Sequence, residues 1–280
     1  MADEERYVRP PSAESEGRAP GRGRLAGRRI LIVGGGQQVL DAETDPVGNG
    51  RAMSILFARE GAHVAIADRN REAAAATVAL IRGEGGPAPV LIEADIAREA
   101  DVARMVEEAQ AGLGGLDGLI LNVGISVGGL GLSGVKSEDW DRVLGANLRG
   151  PMLCCREALP RLENGSSIVF ISSIAGQVAG SRLPAYDASK AALGGLMRHV
   201  ALEGARRGVR ANIVAPGLVD TPLGRRATQG RPSRGRTPVA FGRQATGWEI
   251  ACAALFLTSG ESVYITAQTL AVDSGMTGIS

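Results

Sequence analysis

From residue 28 onward, short apolar runs rich in β-branched residues alternate with longer stretches of helical period. The runs fall at 29–33, 63–67, 89–93, 117–121, 167–172, 210–215 and 268–272. Ala, Leu, Glu and Arg at helical spacing fill 50–60, 70–83, 98–112, 137–162, 187–207 and 247–258. Strands apolar on both faces, each followed by a helix, predict a parallel sheet covered on both sides. The expected fold class is therefore α/β, with a doubly wound, seven-stranded parallel sheet in a single domain over 25–280.

Three segments depart from this pattern. Residues 1–24 are rich in Arg, Glu, Pro and Gly and nearly free of apolar side chains, which predicts a disordered tail. The stretch 36–47, GQQVLDAETDPV, is acidic and has no period. The stretch 222–247 carries six arginines and no periodicity, which reads as a loop or lid over a substrate.

Composition narrows the function. A net charge of +1 gives no bulk attraction to nucleic acid or to an anionic membrane. The chain is 44% apolar, but no run approaches the length of a membrane span, and its first residues hold no apolar stretch of the kind expected of a secretory signal. Three cysteines without metal-ligand spacing suit a reducing cytosol, so a cytoplasmic protein without a metal is expected. With only His63 and His199, a histidine-centred triad is disfavoured. Of the 31 basic residues only Lys136 and Lys190 are lysines, so lysine chemistry is a reason for either to persist.

The first strand runs into Gly34, Gly35 and Gly36, and Gly48-Asn49-Gly50 opens the helix that follows. Glycine there permits a tight turn and close approach of backbone to a pyrophosphate, which a helix N-terminus then binds. Asp68 ends the second strand, 18 residues after Gly50. A carboxylate at that point accepts from both hydroxyls of an adenosine ribose and repels a 2′-phosphate, favouring NAD over NADP. Arg69 next door supplies a cation that could serve the phosphate instead. The bland reading of Asp68 is a turn residue at a strand end. Asp95-Ile96 closes the third strand, where a side chain could reach adenine. Asn122-Val123-Gly124 closes the fourth, beside the expected path of the nicotinamide ribose.

Tyr186 lies four residues before Lys190, so a helix puts both side chains on one face, just after the strand-end pair Ser172-Ser173. A free phenol, with a pKa near about 10, is a poor base at neutral pH. A neighbouring ammonium favours the phenolate and brings that pKa towards the working range. An exposed Tyr and a solvated Lys would be the alternative; the scarcity of lysine weighs against it.

These motifs, taken together, make the chain resemble the short-chain dehydrogenase/reductases, in their single-domain NAD(P)-dependent branch. The likeness covers residues 25–276 and rests on Gly35/Gly48/Gly50, Asn122–Gly124, Asn147, Ser173, Tyr186/Lys190 and Pro216-Gly217. The resemblance implies a Rossmann-like fold and a secondary alcohol or ketone as small-molecule substrate. It implies Tyr186 as general acid in reduction and base in oxidation. Ser173, thirteen residues before the tyrosine, is implied over Ser172 as the group that binds the substrate oxygen. Lys190 would hold the nicotinamide ribose and lower the pKa of Tyr186. Asn147 would position a water relaying protons from Lys190; the alternative is a helix residue bonding its own backbone. Val219 and Thr221 would meet the nicotinamide carboxamide. A homotetramer is implied, pairing the helices at 137–162 and 187–207 between subunits. Two departures are local: Gly34 stands where the family usually has Thr, and Leu121-Asn122-Val123-Gly124 replaces Asn-Asn-Ala-Gly. Rival readings are a catalytically silent nucleotide-binding sensor or scaffold, and an enoyl reductase, whose Tyr and Lys are spaced more widely.

The larger departure is the twelve-residue stretch 36–47, where such turns usually allow about three residues. Lengthening a flexible loop that far adds roughly 1.2 kcal/mol of closure entropy. With Asp41, Glu43 and Asp45 and no basic residue, it is expected to bulge away from a pyrophosphate. Two readings of its outer part stand side by side: a solvated acidic loop beside a disordered basic segment, or a latch in which the arginines at 225, 226, 231, 234 and 236 are its partners.

Overall fold

The computed structural model describes residues 8–39, 41, 43–128, 131–229 and 237–279. The first half runs β1 (Arg29–Val33), α1 (Asn49–Arg59), β2 (His63–Asp68), α2 (Arg71–Gly83), β3 (Val90–Glu93), α3 (Glu99–Leu113) and β4 (Gly118–Leu121). The second begins with α4 (Ser137–Leu144), α5 (Gly150–Ala158), β5 (Ser167–Ile171), α6 (Pro184–Gly204) and β6 (Arg210–Pro216). It ends with β7 (Val219–Asp220), α7 (Pro222–Gln229), β8 (Ala245–Thr246), α8 (Gly247–Thr258) and β9 (Thr269–Val272).

Seven parallel strands are ordered β3-β2-β1-β4-β5-β6-β9, and β7 pairs with β8 separately. All seven apolar runs are strands of this one sheet. Val33 registers against both Ala67 and Leu121, so the carboxyl ends of β1, β2 and β4 align at the point where strand order reverses. Alternation along β1 sends Ile30 and Ile32 into a core under α1 and α8, with Met53, Phe57 and Leu255. Leu31 and Val33 enter the opposite core under α3, α5 and α6, with Met105, Leu153 and Met197. This two-sided burial is what the continuous apolar runs predicted.

Local chemistry sets the helix ends. Asn70 caps α2 by accepting from the Ala73 amide, and Thr246 with Glu249 forms a capping box on α8. Gly114 ends α3 with φ of 73°.

The single helix expected over 137–162 is broken. Pro151 has no N–H to return to the carbonyl of Asn147 four residues earlier, and the ladder shifts. Residues Gly145–Arg149 form a π turn, with the Gly150 amide reaching back to the Gly145 carbonyl. Segment 222–247 also contains more structure than its sequence promised, namely α7 and β8; residues 230–236 lie outside the described part.

Over 8–24 the expected disordered tail is instead packed on the domain. Glu60 is buried and accepts from the amides of Arg22 and Arg24, at 2.8 and 3.0 Å, and from the Arg24 guanidinium. Arg59 donates to the Gly17 carbonyl at 2.7 Å while stacking over Trp248, and Thr246 donates to the Ser15 carbonyl at 2.6 Å. Backbone hydrogen bonds rather than apolar burial hold the segment, so hydropathy could not register it. Residues 1–7 lie outside the described part.

Candidate active site

The site is built at the carboxyl ends of β1, β2, β4, β5 and β6. At the end of β1, Gly34 adopts φ of +82°, and the amides of Gly34 and Gly35 both donate to the Ala67 carbonyl. The first turn of α1 then comes so close that a Cβ on Gly50 would lie 1.9 Å from the Gly34 carbonyl oxygen. Asn122 fixes the same oxygen with its Nδ2, at 2.8 Å. Gly36 donates to Asp68 Oδ2 at 3.1 Å and the Asn70 amide to Oδ1 at 3.0 Å. The Asp68 carboxylate is thus held against the glycine turn at the end of β2, as the turn residue of the bland reading.

A dinucleotide fits these groups. The turn is a backbone cradle that larger residues would fill, and Gly48 opens α1 with no side-chain cap and no acid in its first turn. The Gly48 amide is taken by Gln37, and the amides that follow it in the first turn remain donors for an anion. At the same helix start, Asn49 Oδ1 is buried without a hydrogen-bond partner among the described residues, an acceptor awaiting a donor. Arg69 and Asp95 line a neighbouring cavity of about 930 Å³ with Arg98 and Arg104. Ile96 faces elsewhere: it is 4% exposed and packs under Gly150, so it is a core residue in this structure. Asp95 Oδ1 accepts from the Ala97 amide. Val219 is buried, and Thr221 Oγ1 accepts from the Gly224 amide in the first turn of α7.

The chemical end lies between β4, β5 and α6. The two strand-end serines separate clearly: Ser172 is buried and donates to the Lys190 carbonyl at 2.9 Å, while Ser173 is more open and accepts from the Ala175 amide. Gly176 presses on α6 at Lys190, where a Cβ would be 2.7 Å from backbone, so the turn after β5 is docked on that helix. Lys190 is 4% exposed, and burial pushes its ammonium pKa down from 10.5 to about 8. Its Nζ donates to the Ile171 carbonyl at 3.0 Å and lies 5.8 Å from the centre of the Tyr186 ring. Gly124 abuts the same ammonium, with 3.1 Å between Nζ and the position of a Cβ.

Asn147, fully buried in the π turn, commits both hydrogens of its amide and one bond to its oxygen to structure. Its Oδ1 accepts from the Ile125 amide at 2.8 Å, and its Nδ2 donates to the Ile125 carbonyl at 2.9 Å and to Ser189 Oγ at 3.0 Å. Ser189 in turn donates to the Tyr186 carbonyl at 2.7 Å. Asn147 therefore ties the loop after β4 to the turn of α6 that carries the tyrosine. Sequence reasoning missed Ser189, which is a helix serine like any other, and Gln37, whose role depends on a loop closure that no spacing reveals.

Fold and site together define a dinucleotide-dependent α/β oxidoreductase. The family profile described as "Enoyl-(Acyl carrier protein) reductase" matches residues 46–277. The chain is similar to a glucose 1-dehydrogenase of Gluconobacter oxydans, at 37% identity over 92% of this chain and 95% of that protein. It is similar to a 2,5-dichloro-2,5-cyclohexadiene-1,4-diol dehydrogenase of Sphingobium indicum, at 36% identity over 91% and 99%. Among solved structures it resembles a short-chain dehydrogenase of Burkholderia cenocepacia in complex with NADP. That match has a TM-score of 0.78 and 30% identity, covering 90% of this chain and 98% of the other. The chain belongs to the short-chain dehydrogenase/reductase family. It is an oxidoreductase acting between alcohol and ketone, and the named dehydrogenase relatives do not favour enoyl reduction.

Proposed function

We propose that the protein interconverts a secondary alcohol and a ketone with Tyr186 as the proton-transfer group and NAD as the preferred dinucleotide. The observation that carries this reading is the buried Lys190 ammonium beside the Tyr186 ring, its pKa lowered by burial alone, with no neighbouring charge among the described residues acting on it. When bound, the dinucleotide supplies a carbon that accepts or gives up hydride.

The protein's own groups handle position and protons. In reduction the Tyr186 hydroxyl donates its proton to the substrate oxygen, and Ser173 Oγ hydrogen-bonds that oxygen as charge develops. In oxidation the same phenolic oxygen takes the proton back. Lys190 favours the phenolate by its charge and holds the nicotinamide ribose. Asn147 positions Tyr186 and the loop at Ile125, and would position a water that relays protons from Lys190. Gly35, Gly48, Asn49 and Gly50 receive the pyrophosphate, and Asp68 takes the adenosine ribose hydroxyls, which disfavours a 2′-phosphate. Asn122, Gly124, Val219 and Thr221 complete the nicotinamide side, and Arg69 with Asp95 borders the adenine.

Assembly as a homotetramer through α4–α5 and α6 belongs to the same reading. Met152 on α5 and Leu202 on α6 are exposed apolar side chains that such pairing would cover. No helix among the described residues is long and apolar enough to cross a membrane. A cytoplasmic location is part of the proposal.

The deciding experiment assays a panel of secondary alcohols and ketones with NAD(H) and NADP(H) in parallel, on wild type and on Tyr186→Phe. Turnover lost in the variant with dinucleotide binding retained supports the reading. Survival of activity with a good substrate would remove Tyr186 from its role.

A further inference from the structure

The excursion over 36–47 is fastened at two places. At its neck Gln37, 9% exposed, accepts from the Gly48 amide with Oε1 at 2.7 Å and donates to the Pro46 carbonyl with Nε2 at 3.2 Å. One side chain closes the loop and holds the residue that opens α1. Farther out, Arg225 on α7 donates through Nη1 to the Thr44 carbonyl at 2.7 Å. The rest of its guanidinium forms a two-point pair with Asp220 of β7, at 2.7 and 2.9 Å.

The expected partnership between this loop and the arginines thus exists at Arg225, through a main-chain carbonyl. Two of the loop's carboxylates accept from within the loop: Asp41 from the Glu43 amide and the Thr44 hydroxyl, and Asp45 from the Asp41 amide. Hydrogen bonding to Asp220 raises the Arg225 pKa, and the charges of Asp45 and Asp41 add to it at longer range. Arg231, Arg234 and Arg236 lie outside the described residues.

We propose that Arg225 is a positioning residue that braces the phosphate turn to the β7–α7 segment, and thereby sets how long the dinucleotide stays bound. The inference rests on the dinucleotide reading above. One end of the brace leads through Pro46 and Gln37 to Gly48, where the pyrophosphate is received. The other end is Asp220, which stands between Val219 and Thr221 on the nicotinamide side. Two segments that grip opposite halves of one ligand are joined by one guanidinium. A planar group with five donors serves the carbonyl and the carboxylate together; an ammonium serves them less well.

The test is release of NADH from the preloaded protein, followed by stopped-flow fluorescence during a chase with excess NAD. Two variants are compared with wild type: Arg225→Gln, and a chain in which residues 41–45 are replaced by two glycines while Gln37, Pro46 and Gly48 remain. Each is expected to speed release about five- to tenfold, the scale of one charged hydrogen bond discounted for its partial exposure. Combining them is expected to add nothing further, because both remove the same contact. Arg225→Lys is expected to fall between wild type and Arg225→Gln. Hydride transfer in a single turnover of the preloaded complex should be unchanged, with Tm within about 2 °C of wild type. Unchanged release in Arg225→Gln, or effects that multiply in the combined chain, would overturn the inference alone. Failure of wild type to bind NADH or NADPH would instead overturn the proposed function beneath it.

Discussion

Replacing Lys190 with Met should make the protein without its dinucleotide more stable at neutral pH while abolishing its chemistry. Burial lowers the lysine pKa from 10.5 to about 8, so the folded state disfavours the charge that the unfolded chain carries freely. At 1.36 kcal/mol per pKa unit, the charged lysine costs the fold about 3 kcal/mol below pH 8. The methionine forfeits the bond to the Ile171 carbonyl, worth about 1 kcal/mol, leaving a net gain of about 2 kcal/mol. The sign with pH follows from proton counting. Between pH 8 and 10.5 the unfolded chain holds the proton and the folded one does not, so wild-type stability rises across that window. The advantage of Lys190→Met should therefore be greatest below pH 8 and vanish by about pH 10.5. Urea unfolding of both proteins from pH 6 to 11 measures it directly. A difference flat across that range would refute the claim that Lys190 is a desolvated ammonium.

Other substitutions probe the remaining parts. Gly50→Ala forces a Cβ to 1.9 Å from the Gly34 oxygen, and should cost about 2–4 kcal/mol in denaturant unfolding and weaken NADH binding measurably by fluorescence titration. If Asp68 takes the adenosine ribose as proposed, Asp68→Ala should raise kcat/KM with NADP relative to NAD at least about tenfold. The two serines should behave oppositely: Ser173→Ala lowers kcat by about 10²-fold, whereas Ser172→Ala costs about 1 kcal/mol of stability and leaves chemistry largely intact. Asn147→Ala leaves the half-buried Ile125 amide and carbonyl without their side-chain partner, and should lower unfolding free energy by about 1–3 kcal/mol.

The sheet was legible because parallel strands are buried on both faces and read as unbroken apolar runs; even Ile30 and Leu31, adjacent in sequence, serve opposite cores. The pairing of Tyr186 and Lys190 was legible because helical spacing is local. What escaped was carried by hydrogen bonds between side chains and distant backbone. The segment 8–24 looks unfoldable by composition, yet Glu60 gathers two of its amides from 36 and 38 residues away. Asn147 was recognised as a site residue, but its commitment to Ile125 and Ser189 depends on the π turn that Pro151 induces. Ile96 shows the reverse error: position at a strand end placed it near adenine, while Gly150, whose added Cβ would be 2.7 Å from its Cδ1, draws it into the core.

The split glycine turn shows why a motif survives an interruption that its spacing forbids. The parts that must be exact in space, Gly34 against Gly50 and Gly36 against Asp68, are fixed by the sheet, by Asn122 and by α1 packing on the core. None of them depends on the length of chain between. The added closure entropy of roughly 1.2 kcal/mol is comparable to what the two Gln37 hydrogen bonds return at about 0.5–1.5 kcal/mol each. An excursion closed at its neck is thermodynamically nearly neutral for the turn, and its outer residues are free to acquire a second contact. Here that contact is Arg225, on the β7–α7 segment. The spacing of a phosphate turn can therefore change without loss of the turn, provided the neck is closed and the glycines on either side still meet.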